Sequence, residues 1–322
     1  MFDYSVIKKS SIFFVTGCAG FIGSHLSENL IKNGFRVIGI DDLSNGFIEN
    51  MRTFINEPNF NFIRGDIRDF DLCLQITKDV DYILHQAAWG SVPRSIKQPL
   101  IYEEVNIKGT LNIFESARIN KVKKVIYASS SSVYGDSSLL PKTEGSEGNV
   151  LSPYALTKKV NEEYGKLYFD LYGLETVGLR YFNVFGSRQN PEGDYAAVIP
   201  KFSKLISNNQ RPTIYGDGTQ SRDFTYIENV IQANLKACLA PIKSAGKAFN
   251  IAFGEQTSLI ELFNEIVRIT NQSAIQPNYI QPRLGDINHS HANISKAKEF
   301  LEYNPTINFR HGLELYLEDI FN

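Results

Sequence analysis

The sequence predicts an α/β protein with a doubly wound parallel sheet, followed by a smaller mixed α/β lobe. Three observations predict this fold class. Short apolar runs alternate with helical patterns, a glycine-rich turn joins the first run to the first helix, and polar residues follow the carboxyl ends of successive runs. Such alternation with short connections is typical of parallel strands joined by crossover helices.

The first strand and the turn after it indicate a dinucleotide site. The apolar run at 12–15 leads into a turn with three glycines, and a helical pattern begins directly after it. Glycine is required where the turn is tight, where backbone N–H groups approach a pyrophosphate, and where helix packs on strand. The helix N-terminus also favours phosphate charge. We therefore expect the dinucleotide to contact Gly17, Gly20, Phe21, Ile22 and Gly23.

The second apolar run, at 36–40, ends at Asp41. An acidic residue about 20 residues beyond the glycine turn hydrogen-bonds the adenosine ribose in dinucleotide-binding proteins. A carboxylate there accepts from the 2′-hydroxyl and repels a 2′-phosphate. The sequence therefore predicts NAD as the cofactor, in preference to NADP.

Four more apolar runs predict strands at 60–63, 80–85, 124–128 and 175–180, and helices are predicted at 99–120 and 153–172. In doubly wound sheets, ligands bind outside the carboxyl ends of the strands. The polar and small residues that follow these runs are therefore expected at one edge of the sheet. They are Asp66, Ile67, Gln86, Ala87, Ala88, the serines at 129–132, and Tyr181–Asn183.

Tyr154 and Lys158 lie four residues apart in the predicted helix at 153–172. Residues at this spacing share one helix face, so the ammonium can lie beside the phenol. We expect that charge to lower the tyrosine pKa from about 10 towards neutrality, so that the phenol can take a proton from an alcohol. The pattern alone is common in helices, and it gains meaning from the dinucleotide motif upstream.

Composition bounds the partners of the chain. Its 322 residues carry 33 basic and 35 acidic side chains, a net charge of −2, which gives no electrostatic case for nucleic acid or an anionic membrane. Without a run of about 20 apolar residues, no membrane span is expected. Three widely spaced cysteines suit reduced thiols in a cytoplasm. The five histidines show no metal-site spacing, and we expect no metal.

Together these motifs resemble those of the extended short-chain dehydrogenase/reductases that act on nucleotide sugars. The shared motifs are T-G-x-x-G-F-I-G, Asp41, G-D-I at 65–67, serines before V-Y-G at 133–135, Y-x-x-x-K, and L-R-Y-F-N at 179–183. The likeness runs from about residue 11 to about residue 315. Within the family it is strongest to bacterial UDP-N-acetylglucosamine 4-epimerases, through 90–95, 196–200 and 221–223.

The resemblance implies a role for each matching residue. Ser130 corresponds to the catalytic hydroxyl, Tyr154 to the base, and Lys158 to the residue that binds the nicotinamide ribose; Tyr181 would line the nicotinamide pocket. Arg222 and Arg283 resemble a pair that clamps the pyrophosphate, for which a guanidinium fork is suited. The other implied substrate contacts are Gly90, Ser91, Ser131, Asn183, Ala197, Val198, Asp286 and Ser290.

The resemblance also implies a redox-neutral reaction: NAD-dependent epimerisation at C4 of a UDP-sugar. In relatives, the residue at position 290 lies over the 2-substituent of the sugar, and a small serine leaves room for an acetamido group. UDP-GlcNAc and UDP-GalNAc are therefore the leading pair, with UDP-glucose and UDP-uronic acids still open. Surface polysaccharide precursors are the usual destination of such sugars in relatives, and the pathway served here stays open.

Two other functions are weighed against this one. Related dehydratases and decarboxylases carry carboxylates just before V-Y-G, where this chain has Ser131 and Ser132, which cannot act as carboxyl acids or bases. A non-catalytic NAD-binding protein would not require Ser130, Tyr154 and Lys158 together.

The resemblance further implies the organisation of the chain. We expect an NAD-binding domain at 1–182 and a UDP-sugar-binding lobe at 183–322, with the chain able to cross between them in the second part. In relatives, helices equivalent to 100–119 and 153–172 form a four-helix contact between two copies. A homodimer is therefore expected.

Overall fold

The computed structural model describes residues 2–191, 197–282 and 288–321 of the chain. The strands are β1 (Ile12–Thr16), β2 (Arg36–Asp41), β3 (Phe60–Arg64), β4 (Tyr82–His85), β5 (Lys124–Ser130), β6 (Glu175–Tyr181), β7 (Val184–Phe185), β8 (Thr213–Tyr215), β9 (Ser221–Arg222), β10 (Thr225–Tyr226), β11 (Lys247–Ile251), β12 (Thr257–Ser258) and β13 (Asn278–Ile280). The α-helices are α1 (Phe21–Lys32), α2 (Phe70–Ile76), α3 (Val92–Lys97), α4 (Pro99–Tyr102), α5 (Gly109–Ile119), α6 (Pro153–Tyr172), α7 (Val198–Ser207), α8 (Ile227–Leu239), α9 (Leu259–Ile269), α10 (Ser295–Leu301) and α11 (Phe309–Phe321).

Seven strands form one parallel sheet in the order β11-β6-β5-β4-β1-β2-β3. The predicted fold class is therefore confirmed. The register aligns the carboxyl ends of the central strands, because Thr16 pairs with Ile40 on one side and with His85 on the other. Residues that follow these strands consequently meet at one edge of the sheet.

Each face of the sheet packs against helices. Phe13 and Val15 point to one face, where they join an apolar core that includes α1 and α8 and continues into the C-terminal part of the chain. Phe14 points to the other face and packs with side chains of α2, α5 and α6. This alternation follows from the two-residue repeat of a strand, and burial on both faces explains why the strand is apolar throughout.

Helix α6 begins and ends where the sequence predicts. The Ser152 hydroxyl accepts from Ala155 N at 3.1 Å, Pro153 occupies the first turn, and Gly173 ends the helix with a φ of 71°. These are the usual signals at the two ends of a helix. Helix α6 therefore holds Tyr154 in its first turn and Lys158 one turn further on.

The segment predicted as helical over 99–120 is helical from Pro99 to Ile119, but it is not α-helical throughout. Residues Glu103–Lys108 form a π-helical segment between α4 and α5. Within it, the Asn106 side chain accepts from Trp89 N at 2.8 Å and donates to Trp89 O at 3.0 Å. A π-helical turn contains about one residue more than an α-helical turn, and the spacing of apolar residues in the sequence does not distinguish the two. Such π segments frequently occur at functional sites.

The C-terminal part of the chain returns to the main sheet. Strand β11 pairs with β6 at the sheet edge, and α8 packs against β5 and β6. The remaining short strands pair two by two: β10 with β7, β12 with β9, and β13 with β8. The division at residue 183 allowed for such a crossing, and the division itself remains a prediction. Within the described part of the chain, no helix is long and apolar enough to cross a membrane.

Candidate active site

A cavity of about 480 Å³ lies at the carboxyl ends of the central strands. Most of the residues predicted to bind the cofactor or perform the chemistry line this one cavity. They are Gly17, Gly20, Phe21, Ile22, Gly23, Asp41, Asp66, Ile67, Gln86, Ala87, Ala88, Gly90, Ser130, Tyr154, Lys158 and Tyr181. The sheet register thus brings together residues that are up to 164 positions apart (181 minus 17) in the sequence.

Two glycines of the turn, Gly17 and Gly23, are packed so closely that neither position can accommodate a Cβ atom. A Cβ on Gly17, whose φ is 68°, would lie 2.8 Å from Ala87 N, and one on Gly23 would lie 2.0 Å from Gly17 O. Gly20, the N-cap residue of α1, supplies no side-chain hydrogen bond to the first turn. The N–H groups of that turn and the helix dipole are therefore left to bind a phosphate.

Asp41 lies at the end of β2, beside the glycine turn. Its two carboxylate oxygens accept from Ala19 N at 2.9 Å and from Leu43 N at 2.8 Å. Burial raises the Asp41 pKa, and these backbone donors oppose the rise. The carboxylate is thus fixed next to the phosphate cradle, as a ribose hydroxyl requires. The glycine turn and Asp41 together fit NAD.

Ser130, Tyr154 and Lys158 meet at the opposite end of the cavity. The Ser130 hydroxyl favours the ionised form of the Tyr154 phenol, and it accepts from Ser132 N at 3.1 Å. Lys158 is buried, and its Nζ donates to Ala128 O at 2.8 Å. The same Nζ lies 5.9 Å from the centre of the Tyr154 ring.

The prediction that the Tyr154 pKa falls is wrong. Burial raises the Tyr154 pKa, and the hydrogen bond from Ser130 opposes that rise only in part. The hydrogen bond of the Lys158 ammonium goes to the Ala128 carbonyl. Burial also lowers the Lys158 pKa, to about 8.

A buried hydrogen-bond network beneath the cavity holds the segment 86–88, and the sequence did not predict it. The Thr16 hydroxyl donates to His85 Nδ1 at 2.7 Å and accepts from Gln86 N and Ala87 N at 3.1 Å each. His85 Nε2 bonds Thr110 Oγ1 at 2.9 Å, which assigns the Nε2–H tautomer. Burial lowers the His85 pKa to about 3, so the ring stays neutral.

Tyr181 is held by a second set of amides. Its hydroxyl donates to Gln86 Oε1 at 3.1 Å and accepts from Asn234 Nδ2 at 2.9 Å. Asn234 is fully buried in α8 and belongs to the half of the chain predicted to bind sugar. Helix α8 carries several polar residues, so the sequence gives no signal that sets Asn234 apart.

The predicted substrate residues outside this cavity are Ser91, Ser131, Asn183, Ala197, Val198, Arg222 and Ser290. Ser91 caps α3, Ala197 caps α7 and Val198 begins it. Arg222 and Ser290 are held near each other, since Arg222 Nη1 donates to Ser221 O at 3.0 Å and Ser290 N donates to the same oxygen at 3.0 Å. Arg283 and Asp286 lie outside the described residues. All these substrate roles remain predictions.

The glycine cradle, the fixed aspartate and the Ser–Tyr–Lys trio define an NAD-dependent protein of the short-chain dehydrogenase/reductase class. The model of the NAD dependent epimerase/dehydratase family matches residues 13–252. The chain belongs to that family.

Three similar proteins are named for different UDP-sugars. A putative UDP-glucose 4-epimerase from Methanocaldococcus jannaschii is 41% identical over 302 residues, 93% of this chain and 95% of that protein. UDP-N-acetylglucosamine 4-epimerase from Methanobrevibacter ruminantium, solved with UDP-N-acetylmuramic acid, is 40% identical with a TM-score of 0.92, covering 98% of this chain and 99% of that one. UDP-glucuronic acid 4-epimerase from Bacillus cereus, solved with UDP-glucuronic acid and NAD, is 34% identical with a TM-score of 0.87, covering 96% and 99%.

Proposed function

We propose that this protein inverts C4 of a UDP-sugar, and that UDP-GlcNAc and UDP-GalNAc are its preferred pair. One observation carries the reaction type: Ser130, Tyr154 and Lys158 line the same cavity as the glycine turn and Asp41. The three similar proteins described above are named as UDP-sugar 4-epimerases, which supports the same reaction here.

Three residues would perform the proton transfer and hold the reactants in this epimerisation. Tyr154 Oη takes the proton from the sugar 4-hydroxyl and later returns it, while Ser130 holds the same oxygen. Lys158 stabilises the phenolate and holds the cofactor ribose. Bound NAD supplies the acceptor, and then the donor, of the C4 hydride. Because the proton and hydride both return, no outside reductant is consumed.

The position of the acidic residues speaks against elimination of water or carbon dioxide. Ser131 and Ser132 begin a 3₁₀ turn directly after β5, where a dehydratase would need acid and base. Among the described residues that line the cavity, the carboxylates are Asp41, Asp42 and Asp66, at the ends of β2 and β3. Strand β2 is three strand spacings from β5, or about 14 Å, so these acids are far from Ser130.

The preference for N-acetylated sugars rests on Ser290. Its backbone is tied to Ser221, next to Arg222, and its side chain is small. A small residue beside the sugar 2-substituent admits an acetamido group that a tyrosine would exclude. The relative named for UDP-N-acetylglucosamine supports this choice, whereas the relatives named for UDP-glucose and UDP-glucuronic acid favour the alternatives.

Product formation tests the function. The holoprotein is incubated with UDP-GlcNAc without added reductant, and the anomeric proton NMR signals of UDP-GalNAc are followed, with parallel reactions on UDP-glucose and UDP-glucuronic acid. We expect UDP-GalNAc and the highest kcat/KM for the acetylated sugar. A 4-keto-6-deoxy product would reject epimerisation, and a higher kcat/KM for UDP-glucose would reject only the acetylated preference.

We also propose a homodimer that works in the cytoplasm. Leu156, Leu167 and Leu171 are exposed by 48%, 46% and 67%, and they form one stripe along α6. A second copy of this stripe would cover it. The cytoplasm holds NAD and UDP-sugars, and the three cysteines are buried free thiols, which suits a reducing compartment.

A further inference from the structure

A buried ion-pair cluster lies behind the catalytic groups. Arg180 Nε and Nη2 donate to the two oxygens of Glu162 at 2.9 and 2.7 Å. Arg180 Nη1 also pairs with Glu147 and donates to the Tyr134 hydroxyl at 3.0 Å. The Arg180 and Glu162 side chains are only 7% and 11% exposed, and neither residue lines the cavity.

The Glu162 carboxylate touches both elements that carry the catalytic trio. Glu162 lies four residues after Lys158 on α6, so the two share one helix face. The same carboxylate accepts from the Ser129 hydroxyl, and Ser129 directly precedes Ser130 at the end of β5. Glu162 therefore links the helix that holds Tyr154 and Lys158 to the strand that holds Ser130.

Stability alone explains this arrangement poorly. A buried ion pair adds little free energy of unfolding compared with apolar residues of the same volume, because both charges lose their hydration. Glu162 does have an electrostatic effect on the site. Burial lowers the Lys158 pKa, and the Glu162 charge opposes that fall.

Other titratable and charged groups surround Lys158 and Glu162, and they lie on several of the neighbouring strands and helices. His85 on β4 is neutral, and the Tyr154 and Tyr127 phenols have raised pKa values. Around the Arg180 end of the cluster lie Tyr134, Glu144, Glu147 and Lys296. Glu162 is thus the negative charge that opposes the neutralisation of Lys158.

We propose that Glu162 is a positioning residue for this reaction: its carboxylate fixes the end of β5 that carries Ser130 and keeps Lys158 as an ammonium ion beside Tyr154. Only the expected effect of Glu162 on turnover rests on the proposed epimerase function. Its effect on Lys158 is a property of the protein without substrate, so the two can be tested separately.

The first experiment measures the Lys158 charge directly. The holoprotein is labelled with ¹³C-lysine, the Lys158 signal is assigned by its loss in Lys158→Met, and its shift is followed with pH. We expect Glu162→Gln to lower the Lys158 pKa by on the order of 1 unit, because an opposing charge is removed. The exposed Glu163→Gln, which makes the same charge change one residue away, should leave it unaltered. Equal titration in Glu162→Gln and the parent would overturn the proposal.

The second experiment separates charge from position. Ser129→Ala removes the link to β5 without a charge change, so it should lower kcat several-fold and leave the Lys158 titration as in the parent. Glu162→Asp retains the charge with a shorter reach and should resemble Ser129→Ala; it also serves if Glu162→Gln does not fold. Parent-like kcat in both variants would overturn the positioning role.

The pH profile of kcat completes the test. In Glu162→Gln the alkaline limb should move to lower pH by the same amount as the Lys158 titration, because the ammonium is lost earlier. An unmoved limb would overturn the link between the Lys158 charge and turnover. If the parent converted no UDP-sugar while the Lys158 titration still depended on Glu162, the proposed function would fail and the electrostatic role of Glu162 would stand.

Discussion

Lys158 and Tyr154 share one face of α6, yet the Lys158 ammonium donates to the Ala128 carbonyl at 2.8 Å and lies 5.9 Å from the centre of the phenol ring. The two groups also shift in opposite directions: burial raises the Tyr154 pKa and lowers the Lys158 pKa to about 8. The phenol is therefore neutral near pH 7. The proposed proton transfer requires a stabilised phenolate, and the Lys158 ammonium is a nearby group with the charge to stabilise it.

Tyr154→Phe should abolish most turnover while UDP binding stays nearly unchanged. The variant loses only the hydroxyl that takes the sugar proton, and general acid–base groups typically contribute about 10²- to 10⁴-fold to the rate. The measurements are kcat by NMR and the Kd for UDP by calorimetry. Tyr164→Phe, on the same helix but outside the cavity lining, is the matched control and should retain full activity. A fully active Tyr154→Phe would discard the proposed base.

Ser290→Tyr should reduce kcat/KM for UDP-GlcNAc much more than for UDP-glucose. A bulky phenol would fill the space that we assign to the acetamido group, whereas a sugar with a plain 2-hydroxyl needs less room. The comparison uses both sugars on both proteins, with Ser290→Ala as the control that keeps a small side chain. Equal losses on the two sugars would show that the steric argument is wrong.

The cofactor half of the site was predictable because its signals are local. Short sequence patterns mark the three glycines, Asp41 and the strand ends. The parallel register of the strands then places all of them at one edge of the sheet. The supports of the site were not predictable in the same way. His85, Asn106 and Asn234 bond partners that are 69, 17 and 53 residues away, and nothing in the sequence pairs them.

The fold shows the same division between local and non-local information. Helix α6 carries its own start and stop signals and was predicted to the residue. The π segment at Glu103–Lys108 depends instead on the tertiary bonds of Asn106. Likewise, β11 joins the main sheet because α8 returns the chain to β6. The five residues of β11 do not by themselves indicate which strand they pair with.

Gly23→Ala should remove NAD and lower the Tm, whereas Gly20→Ala should have a much smaller effect. An added Cβ at Gly23 would lie 2.0 Å from Gly17 O, a backbone atom that can move only if the phosphate cradle opens. At Gly20 the nearest atom, also Gly17 O, is 3.1 Å away and needs a shift of a few tenths of an ångström. HPLC of the nucleotide released on denaturation, together with thermal unfolding, measures both effects. Equal NAD content in the two variants would contradict the proposed cradle.

Leu171→Glu should convert the proposed dimer into monomers without loss of bound NAD. Leu156, Leu167 and Leu171 are spaced by 11 and 4 residues, so they lie on one face of α6. A charge placed there would have to be desolvated on association, which opposes it strongly. Sedimentation velocity of the holoprotein measures the mass. Leu139→Glu, at a leucine that is 61% exposed on a separate loop, is the matched control and should remain dimeric. A Leu171→Glu protein that stays dimeric would exclude α6 from the interface, and a monomeric parent would exclude the dimer itself.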